Sequence, residues 1–478
     1  MSDLAQNGHG STAKFAFVGI VAALALLGLA LAGGEALLTT LAVTAVVAAV
    51  VLIAVPQEKL LYFTFTVTIL IAGTAHYYFG ILYLYWLSYA LGAGVFLRFL
   101  VTDVPAGRTA RPNQTVPLVI LGIFQALVLV TTLASPTSPM QILLGLKVYL
   151  PMWLVAVVLA FRPMTECFVE RLEKGALLFA AAQAPFVLHQ HFTGPDADAV
   201  VGTFGNFCNA SLMLVCITAI LTAIELHQSG RMTTKAAAAH IGLAFMMLLA
   251  GEVKAVLFLL PLALAVQQAR WLWRNPRKAL MAVPLVLVAM GAVVFVYDQL
   301  YWSGHGPQSL EEKSIGETFD WTWVNPETGD MGRVTSLAVW VIDRQTDLLH
   351  RFIGYGAGAT RLDSSAAPGI IGARFAPAAV GVTTASQLLW ETGIAGLVLH
   401  SAIILSGVLI AIRLGRRAKD EKAKGRMMTV AALLAVLFAY QFYKNYETSR
   451  AADQLILATL IGVVAAARRD GSFTPASE

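Results

Sequence analysis

GRVTSLAVWVIDRQTDLLHRFIGYGAG, residues 332–358, lies inside the one long polar segment of this chain, which runs from 298 to 383 between the apolar spans Val283–Val296 and Leu388–Ile412. Apolar runs flanking a polar stretch read as membrane helices on either side of a large loop. Read as one helix, 332–358 brings Arg333, Arg344 and Arg351 almost into register, because steps of 11 and 7 residues at about 100° each return to nearly the same angle. Val334, Leu337, Val341, Leu348 and Phe352 fall on the other side. The expectation is an amphipathic helix with one cationic edge, lying at a membrane surface or over a cavity, its arginines facing a lipid-borne diphosphate. The plainer alternative is a solvated face on which those arginines pair with Asp343 and Asp347.

Working outward, composition classifies the whole chain. Hydrophobic residues fill 58% of the 478 positions and charged residues 13%, against roughly 45–50% and 25% in soluble domains. The mean hydropathy is +0.71. Such values, with so many uninterrupted apolar runs, read as a polytopic membrane protein in contact with a lipid bilayer. The net charge of +5 does not point to nucleic acid, because the basic residues gather between spans, where the positive-inside rule puts them. Cys167, Cys208 and Cys216 show neither metal-ligand spacing nor a disulfide framework. No metal and no cofactor is expected, since no P-loop, zinc spacing or Gly-x-Ser-x-Gly elbow occurs.

In chain order, a polar tail at 1–14 precedes the apolar runs Phe15–Ala32, Ala36–Val55, Leu60–Phe79, Ile81–Leu100, Val116–Ala134 and Gln141–Phe161. Gly175–Phe192, Phe204–Leu226, Ala237–Gly251, Ala255–Gln268 and Ala279–Tyr297 complete the region 15–297. Leu388–Ile412, Met428–Tyr446 and Ala452–Ala467 lie within 384–467, and 468–478 is a short tail beginning with two arginines. The first run lacks a small-residue cleavage site and reads as a retained anchor. At ~20 residues per crossing, the chain is an all-α bundle of about fourteen transmembrane helices with one large, partly helical loop. A cytoplasmic N-terminus sends the basic loops at 98–111, 162–174, 227–236, 270–278 and 413–426, and the C-terminus, to the cytoplasm, and 298–383 to the opposite side. There is no internal repeat and no inverted pair of broken helices.

Charge at membrane depth is costly and therefore informative. Lys147 lies seven residues in from the outer end of its helix, roughly 10 Å at 1.5 Å per residue. Glu252 and Lys254 form an outer turn, Glu391 opens the helix after the loop, and Lys444, Tyr446, Glu447 and Arg450 make a short outer turn. For Lys147 and Lys254 the plain alternative is snorkelling to the interface, with Glu252 simply pairing locally. The turn GTFGNFCNAS, residues 202–211, offers backbone amides for an anion and Asn206 or Asn209 for a sugar hydroxyl, although glycine and asparagine mark any turn.

In this order — a GTFGN turn, LLAGEVKAVL, a large loop carrying Gly-Arg, an amphipathic helix and GYGAG, then SQLLWETGIAGL at 386–397 — the chain resembles the O-antigen ligase / O-antigen polymerase family over roughly 147–412. The resemblance implies a multi-helix glycosyltransferase of the bacterial inner membrane, with its large loop in the periplasm. It further implies an undecaprenyl-diphosphate-linked glycan as substrate, no metal, and a chain-length regulator and a flippase of the same pathway as partners. Lys254 falls where the family often carries a basic residue, Arg333 matches the arginine after glycine at the loop helix, and Glu391 matches the glutamate before the re-entry. The arginine that commonly precedes the Gly-Thr-Phe-Gly turn is absent, and 376–387 lacks the histidine that ligases commonly carry, which favours a polymerase over a ligase.

The layout fits that chemistry. Departure of a lipid diphosphate needs fixed cations, for which Arg333, Arg344, Arg351, Lys254 and Lys147 are the candidates. The acceptor hydroxyl needs a general base, for which Glu252, then His350 and Glu391, are the candidates. Asn206, Asn209 and Tyr355 are the candidates for contact with the glycan. A lipid-linked-sugar transporter or flippase is the rival from another class, expected to line its path with charge from both leaflets.

Overall fold

The computed structural model describes residues 54–135, 138–194, 199–206, 208–277, 316–325, 331–362 and 368–473, with isolated positions between 280 and 329. The expected tail at 1–14, the runs Phe15–Ala32 and Ala36–Val55 (but for its last two residues), residues 298–315 and most of Ala279–Tyr297 lie outside the described residues. Among the described residues the regular elements are helices, and the one extended pairing is an isolated bridge between Val324 and Met331.

Among the described residues, seven helices are long and apolar enough to cross a membrane: α1 (Gln57–Phe79), α2 (Tyr83–Asp103), α3 (Val116–Ala134), α4 (Pro139–Phe161), α7 (Asn209–Gln228), α15 (Gly393–Arg417) and α16 (Glu421–Tyr440). Between them lie α5 (Glu166–Ala181), α6 (Ala184–Thr193), α8 (Thr234–Ala250), α9 (Val256–Gln267) and α10 (Ala269–Arg274). The segment after 331 contributes α11 (Arg333–Ile342), α12 (Leu348–Ile353), α13 (Ile370–Phe375) and α14 (Thr384–Glu391). The chain closes with α17 (Tyr446–Ser449) and α18 (Ala451–Ala466). Helix α7 is central, with 83% of its most apolar window buried, whereas α3 buries 33% and turns the rest outward. Pro117 in the first turn of α3 sits where a helix needs no N–H. The segment around α11 carries a small core of its own, built from Trp340, Ile371, Val380, Leu389 and Trp390.

Three of the expected helices are broken, two for a local reason and the third by packing. Residues 332–358 form two short helices rather than one, because Asp343 ends α11 and its carboxylate accepts from the Thr346 amide and hydroxyl. Asp347 then caps α12 by accepting from the His350 amide. Such aspartates offer the backbone an alternative to the helix ladder. Arg333, Arg344 and Arg351 therefore do not share an edge. The run Gly175–Phe192 divides into α5 and α6 at Gln183, just before Pro185 in the first turn of α6, because proline has no N–H to continue the helix ladder and is tolerated in a first turn. The run Leu388–Ile412 divides at Thr392, where Gly393 takes φ +67°.

That last break has a packing cause. A Cβ on Gly393 would stand 2.3 Å from the Phe352 carbonyl, and one on Gly354 (φ +78°) 2.3 Å from the Glu391 and Thr392 backbone. The two backbones touch, and the Tyr355 and Gly356 amides donate to the Trp390 and Glu391 carbonyls at 2.9 and 2.8 Å. Ala357 meanwhile rests against Gly145 of α4. The glycines of GYGAG are thus a wedge of bare backbone between helices.

Ion pairs hold the other end of the bundle. Arg426 of α16 reaches Glu166 at 2.8 Å and Glu173 at 2.5 Å on α5, and Lys422 reaches Glu166 and Glu170 at 2.7 and 2.5 Å. Arg231 bridges Glu173 and Glu225 at 2.6 and 2.7 Å.

Replacing Gly354 by alanine forces two backbones apart and is expected to lower the thermal midpoint of the detergent-solubilised protein by at least about 5 °C. Gly122→Ala on α3, where a Cβ meets nothing within 4 Å, is the control and leaves the midpoint unchanged. Equal midpoints in a thermal-shift measurement would show that the wedge is not tightly packed.

Candidate functional site

At the end of the bundle where α14, α17 and the GYGAG wedge meet lies a cavity of about 650 Å³. Its wall is assembled from remote pieces: His76 of α1, Tyr85, Trp86 and Tyr89 of α2, Lys147 and Tyr149 of α4, the turn at Phe204 and Cys208, residues 358–362, and 445–452. The turn before α18 is tied in from two sides, by Tyr89 donating to the Ser449 carbonyl at 3.2 Å and Asn445 donating to the Gly381 carbonyl at 2.6 Å.

Three cationic side chains line this cavity, Lys147, Arg361 and Arg450. The Lys147 ammonium stands 3.9 Å from the centroid of the Trp86 ring and 5.5 Å from that of Tyr89, a placement that stabilises the cation. Arg450 is the extended residue just ahead of α18. Its guanidinium lies over the Tyr446 ring at 5.6 Å, and it makes no side-chain hydrogen bond or salt bridge to the described residues. A half-buried guanidinium without a carboxylate partner suits an anion supplied from outside the chain.

Glu391 occupies the floor and is fully buried. Its carboxylate accepts from the Tyr149 hydroxyl (2.8 Å), the Thr360 hydroxyl (2.5 Å) and amide (3.3 Å), and the Gln387 amide nitrogen (3.3 Å). Four donors from α4, the wedge and α14 saturate it, so it works as a knot. Behind it, Thr448 donates to Gln387 at 2.9 Å. The next residue, Glu447, is buried with no hydrogen-bond partner on either oxygen, and burial pushes its carboxyl well above the usual range.

The expected site residues divide sharply. Lys147 and Glu391 line the cavity. The others lie elsewhere. Arg333 is buried against Glu317 (3.2 Å), the Tyr443 carbonyl (3.0 Å) and the Thr318 hydroxyl (2.9 Å), with its plane on the Tyr443 ring. Arg344 is exposed, and Arg351 donates back to the Val341 and Asp343 carbonyls. His350 stacks on Tyr355 at 4.2 Å and meets Asp347 at 2.9 Å, while Tyr355 donates to Thr346. Glu252, at φ +46°, pairs with Lys254 at 3.4 Å in the α8–α9 turn. Asn206 is exposed and Asn209 opens α7, next to Cys208 on the cavity wall.

The glycine-rich turn at 202–206 does not offer its first amides to an anion. Gln190 accepts from the Val201 and Gly202 amides at 2.9 and 2.7 Å, and Gln183 from Thr203 at 2.8 Å. Arg361 and His76 escape sequence reasoning because their common wall exists only after folding. Arg450 was placed by sequence in the short outer turn but given no role there. Among the described residues no group of three or more His, Cys, Asp or Glu is placed to hold a metal ion.

Glu391→Ala strands four buried donors and is expected to destabilise the protein by about 3–5 kcal/mol. Arg450→Ala removes a group with no such bonds and is expected to leave the unfolding midpoint within about 2 °C of wild type. Denaturation of the two purified variants side by side checks this, and equal losses would refute the division of roles. No protein-family model and no curated protein sequence matches the chain.

Proposed function

We propose that this protein is a glycosyltransferase of the bacterial inner membrane that takes its glycan from an undecaprenyl-diphosphate carrier on the periplasmic side and polymerises such repeat units. In this reading the chain crosses the membrane about fourteen times at ~20 residues per crossing, and both termini and the clamp around Arg426 face the cytoplasm. The observation that carries the proposal is the cationic wall of the cavity, Lys147, Arg361 and Arg450, in which Arg450 makes no side-chain hydrogen bond or salt bridge to the described residues. Sugar transfer from a lipid diphosphate develops negative charge on the leaving group. Fixed cations in a partly desolvated cavity stabilise that charge more strongly in the transition state than before it. The diphosphate-binding role thus passes from Arg333, Arg344, Arg351 and Lys254 to the cavity cations, with Lys147 common to both sets. Trp86, Tyr85 and Tyr89 add ring faces on which a sugar packs.

A lipid-linked-sugar flippase is less well supported. The interlocked ion pairs of Arg426, Lys422 and Arg231 tie the helices together at the far end of the bundle, and opening a path there would break several partly buried ion pairs. Transfer to a lipid anchor, as in a ligase, uses the same donor chemistry and differs only in the acceptor.

The test is to supply the purified protein with a synthetic prenyl-diphosphate oligosaccharide and follow free prenyl diphosphate and glycan length. The wild type is expected to release prenyl diphosphate and form a ladder, and Arg450→Ala to lose at least about 10²-fold in rate. No release by the wild type, or wild-type rates in Arg450→Ala, would contradict the proposal.

A further inference from the structure

Resting on the transferase reading, we infer that His76 is the general base that takes the proton from the acceptor hydroxyl. The argument begins from the inventory of the cavity. Among its described lining residues, the groups able to take up a proton include Glu391, Tyr149, Tyr89, Cys208, Tyr85 and His76. Glu391 already accepts from four donors and is committed to the wall. Tyr149 donates to Glu391, Tyr89 to the Ser449 carbonyl, and the Cys208 thiol to the Asn206 carbonyl. Each is committed to the wall.

His76 differs because its surroundings define its tautomer. Tyr85 has one hydroxyl proton and donates it to the Phe204 carbonyl at 2.8 Å, and the same hydroxyl oxygen lies 3.4 Å from His76 Nδ1. With the tyrosine proton engaged, this long contact is made by Nδ1–H donating to the tyrosine oxygen. Nε2 then carries the lone pair, and it makes no hydrogen bond to the described residues. A neutral imidazole held through Nδ1, with Nε2 left to a cavity, is the arrangement general-base catalysis requires.

Gly205 keeps this arrangement possible. It sits at φ +86°, and a Cβ there would stand 2.0 Å from the Tyr85 hydroxyl and 3.0 Å from His76 Nδ1. The second glycine of the GTFGN turn therefore serves a histidine on another helix, while the Phe204 carbonyl fixes the tyrosine proton. The other charged and titratable groups around the ring are Arg450 and Lys147 in the same wall and the Cys208 thiol.

The reaction balances without a further reactant. The acceptor oxygen bonds to the anomeric carbon as the bond from that carbon to the diphosphate oxygen breaks. The electron pair leaves with the prenyl diphosphate, held by the cavity cations, and the hydroxyl proton passes to His76 Nε2 and then to water.

Steady-state rates against pH for wild type, His76→Gln and Tyr85→Phe, with the prenyl-diphosphate oligosaccharide as donor and acceptor, test the inference. His76→Gln is expected to lower kcat by about 10²–10³-fold with little change in donor KM. Its residual rate should lose the fall toward acid pH that protonation of the base gives the wild type. Tyr85→Phe, which removes a positioning contact, is expected to show a smaller loss in kcat with the acid limb retained. A kcat for His76→Gln within threefold of wild type, an unchanged acid limb, or a loss confined to donor KM would overturn the assignment. A wild-type protein that releases no prenyl diphosphate would instead overturn the transferase reading beneath it.

Discussion

A single buried carboxylate governs how the cavity end of this molecule is assembled. Glu391 stands at the junction of α14 and α15 and gathers donors from α4, from the wedge that follows GYGAG, and from its own helix. An isolated carboxylate at that depth would cost several kcal/mol, so each of those elements is constrained to arrive with its donor in place. The bare backbone of Gly354 and Gly393 lets the chain come close enough for this to happen. Site and scaffold are therefore one object: the segment that lids the bundle is fastened by the residue that floors the cavity.

The charges elsewhere follow a division by end. Near α5 and the start of α16, acids and bases interlock at 2.5–2.8 Å, an arrangement that holds helices together and leaves nothing for a ligand. At the cavity end, Lys147 sits on aromatic faces and Arg450 lies over Tyr446 without a carboxylate partner. Interlocked pairs satisfy both charges, whereas the Arg450 guanidinium makes no ion pair with the described residues and suits an incoming anion. The same residue types thus serve opposite purposes at the two ends, and the difference lies in what surrounds them.

Much of the helical architecture was legible in the chain. Val116–Ala134 is almost wholly apolar, with Pro117 in its first turn and Ser135 just beyond its end, and the helix has the expected limits. The breaks were not legible from periodicity, because Asp343 and Asp347 interrupt an apolar pattern that continues through them. The break at Gly393 was hidden for another reason, since its cause is backbone some forty residues away at 352–354. Lys147 and Glu391 stood out because charge in an apolar run is expensive. Arg450 was noted only as part of a short outer turn, and Arg361 not at all, because each gains meaning only beside the other. His76 drew no reading from the sequence, because the turn at 202–206 that orients it is remote in the chain.

Imaging the protein with a prenyl-diphosphate lipid bound would test the central claim most directly. The account predicts the diphosphate inside the cavity, within hydrogen-bond distance of the Arg450 guanidinium and close to Lys147 and Arg361. A diphosphate resting instead against Arg333, or in the turn at Glu252 and Lys254, with the cavity empty, would contradict it.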